Sequence, residues 1–131
     1  MQKNIAAILA GLLLWAAFGG LLIMVLRLSW PAYEAVHVTK AFTLPMQLTR
    51  LAIGAAGTLS TGAVVRRISG ADGRAVMATG ALLLLFSLPI HLAEPTWSHY
   101  PGWYHLSYLA YLIPLTILGG KLASSKETLH A

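Results

Sequence analysis

A transmembrane four-helix bundle, all-α with both termini cytoplasmic, is the fold this sequence predicts, and three observations predict it. Hydrophobic residues fill 57% of the 131 positions and charged residues only 10%, against roughly a quarter charged in soluble proteins. Four apolar runs of about bilayer length follow one another, and the mean hydropathy is +0.71. Basic residues fall unequally on the two sides of those runs, which gives the bundle a direction. The whole chain reads as one integral membrane domain, with spans at about 5–26, 44–65, 75–93 and 104–120.

The first run, Ile5 to Leu26, carries no charge and amounts to about 33 Å of helix, enough to cross a bilayer with slight tilt. A cleaved signal peptide is the competing reading, since Lys3 precedes the run and Ala17-Phe18-Gly19 is small-x-small, but no polar cleavage region follows. The second run, Leu44 to Val65, is interrupted only by Arg50. Thr43 is placed to cap it and Pro45 falls in the first turn, where a missing N–H costs nothing. Arg66-Arg67 ends it, and Ser69-Gly70-Ala71-Asp72-Gly73 reads as a turn. Ala75 to Ala93 is the third run. The fourth begins near Tyr104, reaches Gly120, and stops at Lys121 and the tail Ser124-Ser125-Lys126-Glu127.

Lys3, Arg66, Arg67, Arg74, Lys121 and Lys126 lie on one side, and only Arg27 and Lys40 lie in the loops on the other. The richer side should face the cytoplasm. The segments Arg27–Phe42 and Glu94–Trp103 should then face outward, with Trp30, Tyr33, Trp97, Tyr100, Trp103, Tyr104 and Tyr108 at the headgroup boundary. Cysteine is absent, which excludes disulfides, thiolate catalysis and Cys-ligated metals. The net charge of +5 is distributed between apolar spans rather than over one soluble module, so the expected counter-charge is anionic lipid and not nucleic acid.

Helix association in lipid depends on small residues that bring backbones close. Gly54, Thr58 and Gly62 recur every four residues in the second span, which is expected at the bundle centre. Such a ridge packs helices within one chain, and it can also mediate a homo-oligomer or a larger membrane partner. Ala7/Gly11 and Ala16/Gly20 offer the same spacing in the first span, whereas the third, with Leu82–Leu85, is expected to show more of itself to lipid. Pro89 and Pro114 each remove a helix hydrogen bond, leaving either a kink or an exposed carbonyl acceptor. Trp30-Pro31-Ala32-Tyr33 and Tyr100-Pro101-Gly102-Trp103 echo each other as aromatic-Pro-small-aromatic, and motivate a pseudo-symmetric reading of the two hairpins.

Four of the five histidines, His37, His91, His99 and His105, fall on the outward side with Glu34 and Glu94. Glu34 and His37 are spaced i, i+3, as are His91 and Glu94, and His105 opens the fourth span nearby. Carboxylate with imidazole suits a divalent metal, so His91, Glu94, His105, His37 and Glu34 form a candidate metal set. The alternative is interfacial polarity, in which the same groups face water or cap helix ends. No cofactor is expected beyond such a metal, and heme between His91 and His105 would be awkward around so short a loop. Arg50 is the one ionised residue well inside a run. It either snorkels outward, pairs with Glu94 or Glu34, or holds an anionic headgroup or carboxylate substrate.

The run Ile5-Ala6-Ala7-Ile8-Leu9-Ala10-Gly11, the basic turn after the second span, and Pro101-Gly102-Trp103-Tyr104 leading to Leu118-Gly119-Gly120-Lys121-Leu122 resemble small uncharacterised bacterial four-span inner-membrane proteins. The resemblance implies a multi-pass inner-membrane location and assigns no active-site residues. Small multidrug transporters carry a carboxylate in the first span and thiol-based quinone reductases need cysteine, and this chain has neither. The Glu-Arg signature of membrane glutathione transferases is also missing from the second span. No catalytic motif occurs, so the leading expectation is an accessory or structural membrane protein rather than an enzyme. The alternatives are a small transporter or lipid-handling protein using Arg50, and a metal- or heme-binding subunit.

Overall fold

The computed structural model describes residues 1–71 and 73–129, with side chains through Ser124. Asp72 of the turn and the side chains of Ser125, Lys126 and Glu127 in the tail lie outside them. The described chain is helical: α1 (Gln2–Ser29), α2 (Pro31–His37), α3 (Leu44–Ser69), α4 (Arg74–Leu92), α5 (Thr96–His99) and α6 (Gly102–Leu129). α1, α3, α4 and the Gly102–Ser124 part of α6 are long and apolar enough to cross a membrane. They match the four runs of the sequence and extend them at most ends.

Local chemistry sets the boundaries. Proline disfavours helical backbone in the residue before it, so Trp30 (φ −125°, ψ 89°) ends α1 ahead of Pro31, and Pro31 then starts α2. Tyr100 (φ −132°, ψ 150°) likewise separates α5 from α6 ahead of Pro101. Both aromatic-Pro echoes therefore mark a helix start, although α2 has only seven residues. Gly70 at φ 84° closes α3, a left-handed conformation that side chains resist. Lys40 takes φ 58° between α2 and α3 and turns Phe42 inward. The expected Thr43 cap is not made. Thr43 occupies the N-cap position without a side-chain hydrogen bond, and Pro45 at the second helical position removes one of the two N–H groups a cap could use. Gln47 instead donates from Nε2 to the Phe42 carbonyl at 3.1 Å.

The four long helices run up and down, so the chain start, the Gly70 turn and the end of α6 share one end of the bundle, here the basic end. α2 and α5 lie at the other, the aromatic end. α3 touches α1, α4 and α6, the central position expected of it. Its closest approach is to α6: a Cβ at Gly62 would collide with the Thr116 carbonyl, and one at Gly119 with the Leu59 carbonyl. Gly54 faces Tyr108 and Tyr111, and Thr58 is fully buried. The Gly54/Thr58/Gly62 ridge is thus occupied by contacts within the chain. Buried hydroxyls mostly bond back to their own helices, Thr58 to Gly54, Thr79 to Ala75 and Thr116 to Leu112, so these hydroxyls have partners without reaching across the bundle.

Lipid exposure departs from the sequence expectation. α4 is the most covered span, 33% of its apolar window being buried, and α1 the least, at 6%. The reason is periodicity: Ala75, Val76, Thr79, Gly80, Leu83 and Ser87 form one inward stripe on α4, and of the leucine run only Leu83 belongs to it. α1 buries only Ala7 and Gly11. A Cβ at Gly19 or Gly20 would meet nothing within 4 Å.

Candidate functional site

Arg50 is the chemical centre of the aromatic end. Helix α3 carries it inward from its first turn, about 9 Å along the axis from Leu44. Its Nη1 donates to the Tyr33 hydroxyl at 2.5 Å, and its guanidinium carbon sits 5.0 Å from the Phe42 ring centroid and 5.7 Å from that of Tyr100. Cation–π attraction of this kind contributes about 1 kcal/mol per ring. Tyr33 stacks on Phe42, Phe42 on Tyr100 and Tyr100 on Tyr104, with centroids 5.0, 5.8 and 4.5 Å apart. Tyr104 also faces the guanidinium. Burial pushes the Tyr100 phenol up to about 12, so it remains neutral.

No described carboxylate neutralises this cation. Glu34 is held by Arg27 in a two-pronged ion pair, Nε to Oε2 at 2.6 Å and Nη2 to Oε1 at 2.8 Å. Glu94 accepts from the Ser98 hydroxyl. The Nε of Arg50 is buried and has no partner. Of the sequence alternatives, then, pairing with Glu34 or Glu94 is not adopted.

Beside Arg50, His91 of α4 and His105 of α6 meet with their Nδ1 atoms 3.0 Å apart. His105 is fully buried, and its Nε2 lies 3.2 Å from the Trp97 carbonyl. A carbonyl only accepts, so His105 Nε2 carries hydrogen, and in that tautomer its bare Nδ1 accepts from His91 Nδ1–H. His91 Nε2 is left as an acceptor. The His91 ring stacks on Tyr108 at 4.3 Å and the His105 ring on Trp97 at 4.8 Å. Nitrogen NMR of the purified protein is expected to find His105 protonated on Nε2 and His91 on Nδ1; the opposite pair of tautomers would contradict this assignment.

Of the five proposed metal-set residues, the structure brings together only His91 and His105. Glu94 falls beyond the end of α4, where Ala93 is already extended (φ −85°, ψ 147°), so the His91/Glu94 helical spacing is broken. Glu34 and His37 do share helix α2, but Glu34 turns to Arg27 and His37 packs against Tyr33 and Phe42. Among the described residues no three His, Asp or Glu side chains assemble as metal ligands.

The Arg27 hydrogen bonds hold the Glu34 carboxyl below its ordinary range. His37, whose Nδ1 is buried without a partner, has its pKa lowered, first by burial and then by Lys40 and Arg27. A depressed histidine stabilises the fold above its unfolded value of about 6.5 and loses that contribution as pH falls through the folded value. Docking of α2 should therefore loosen on acidification below pH 6.5. The protection factors of the α2 amides against hydrogen exchange should fall there in the native chain and stay constant in His37→Phe; parallel behaviour of the two would sink the prediction.

Sequence reasoning placed Tyr33, Tyr104 and Tyr108 in an interfacial belt. Trp97 and Trp103 are exposed as a belt requires, but Tyr33 and Tyr104 are buried around Arg50, since a cation inside lipid needs polar and π partners more than the interface needs phenols. Phe42 was missed altogether. Tyr104, Tyr108 and Tyr111, spaced four and three, were the available sign of an inward polar face on α6. One turn deeper than Arg50, a cavity of about 230 Å³ opens between α1 and α3, lined by Trp15, Ala16, Gly19, Gly20, Gly54 and Tyr108 among others.

Comparison of the chain with protein-family models, curated proteins and solved structures finds no match in any of the three.

Proposed function

We propose that this integral membrane protein binds the acidic group of a membrane-dissolved amphiphile at Arg50, and that it is a small lipid-handling or transport protein. The carrying observation is the buried Arg50 Nε, which has no partner and no described carboxylate beside it. A buried cation without a counter-charge is costly, and a guanidinium edge is suited to a carboxylate or phosphate oxygen. The cavity one turn below gives an apolar tail a place to lie. Because Nε is covered, the acid reaches it only when a ring above the guanidinium swings aside, and Tyr100, on the connection between α5 and α6, is the ring assigned that movement. In detergent, a long-chain fatty acid should bind and its methyl ester should not, with Tyr100→Ala raising the association rate; equal binding of acid and ester would refute the reading.

Lys and Arg asymmetry supports a bacterial inner-membrane orientation with both termini in the cytoplasm and the Arg50 end outward. A C-terminal reporter should be active inside the cell; activity outside would invert the assignment.

A second reading, an accessory protein that packs on a larger membrane partner or a second copy, is favoured by α1. Its Gly19 and Gly20 leave open space beside the least covered span, whereas the small residues of α3 are occupied within the chain. Cysteine cross-linking from position 20 would capture a neighbouring helix under this reading.

A further inference from the structure

At the basic end, opposite the Arg50 site, a second cavity of about 560 Å³ lies between the end of α3, the start of α4 and α6. That volume falls in the range of small-molecule sites. Its described lining includes Arg66, Arg74 and Lys121. Arg66 is fixed in place by its Nη1, which donates to the Ala71 carbonyl at 2.6 Å, while its Nε is buried with no partner. The other side of the lining is apolar, Val76, Met77 and Ile117. The two characters are ordered along the helices. Met77 is one turn deeper than Arg74, and Ile117 one turn deeper than Lys121, so the cations lie toward the basic end and the apolar side chains toward the bundle middle. Met77 is exposed on the outer surface, leaving the cavity a lateral apolar side.

We infer that this cavity holds the phosphate of an anionic phospholipid, with Arg66, Arg74 and Lys121 around the headgroup and the glycerol and first methylenes against Val76, Met77 and Ile117. A free phosphate ion would use the three cations but leave the apolar half of the cavity in contact with water, which favours the lipid as the source of the phosphate. Basic pockets between transmembrane helices suit such headgroups, each cation contributing about fivefold in affinity.

The test uses the full-length protein, delipidated in detergent and titrated with phosphatidylglycerol, phosphatidylcholine or inorganic phosphate, binding being followed by native mass spectrometry and melting temperature. Phosphatidylglycerol is expected to bind at least tenfold more tightly than phosphatidylcholine and to raise the melting temperature. Arg74→Gln should weaken it about fivefold, and the triple Arg66→Gln/Arg74→Gln/Lys121→Gln variant about a hundredfold. Arg67→Gln, a basic residue at the same end that does not line the cavity, should leave binding unchanged. Equal affinity for the two lipids, or an Arg67→Gln loss matching that of Arg74→Gln, would overturn the inference. Displacement of the lipid by inorganic phosphate at equal concentration would also overturn it, in favour of a soluble phosphate ligand. Should the triple variant fail to fold, the comparison of Arg74→Gln with Arg67→Gln decides alone.

Discussion

Replacing Arg50 by Leu is expected to abolish fatty-acid binding, by about a hundredfold or more, without unfolding the protein. Two charge-assisted hydrogen bonds lost from a desolvated site account for a change of that size. Stability should hold or rise, because the native cation is half-buried beside Tyr33, Phe42 and Tyr100 without a described counter-charge, and an apolar side chain fits the same rings. Arg50→Lys should recover little: an ammonium has neither the planar face that lies over Phe42 nor the fork that grips a carboxylate. Calorimetric titration and a melting curve on the same samples separate the two roles. A lowered melting temperature with fatty-acid affinity intact would make Arg50 an architectural residue.

The second large effect is expected where α3 crosses α6. Gly62→Val and Gly119→Val each direct a side chain at a backbone carbonyl of the facing helix, of Thr116 and Leu59 respectively. Backbone cannot step aside as a flexible side chain can, so each should cost at least about 3 kcal/mol, the upper part of the range for overpacked cores. Gly19→Val and Gly20→Val face open space on α1 and should change stability by no more than about 0.5 kcal/mol. Thermal unfolding in detergent, followed by circular dichroism, gives the contrast. Equal losses at all four positions would mean that helix propensity, not the α3–α6 contact, governs.

The spans were legible because a bilayer demands about 20 apolar residues in a row, and Ile5–Leu26 and Ala75–Ala93 supply them without a charge. Boundaries set by Pro31, Pro101 and Gly70 were readable for the same reason, one residue type enforcing one backbone conformation. Which face of each helix turns inward was harder. The leucine run of α4 suggested lipid exposure, yet a stripe of Ala, Thr, Gly and Ser beside it is what α6 and α1 cover. Arg50 stood out as an anomaly in an apolar run, but its partners come from α2, the loop at Phe42, the α5–α6 connection and α6, and only the folded bundle unites them. The His/Glu spacing misled at Glu94 because the helix that would align it with His91 ends at Leu92.

The most direct test of the central claim is the nitrogen NMR signal of Arg50 Nε, assigned by its disappearance in Arg50→Lys and followed while a long-chain fatty acid is added to the detergent-solubilised protein. A saturable shift of that one arginine resonance, absent with the methyl ester, is the result expected of an acid seated on the guanidinium. An Arg50 Nε signal that stays fixed while the fatty acid binds would contradict the claim and move the ligand away from the aromatic end.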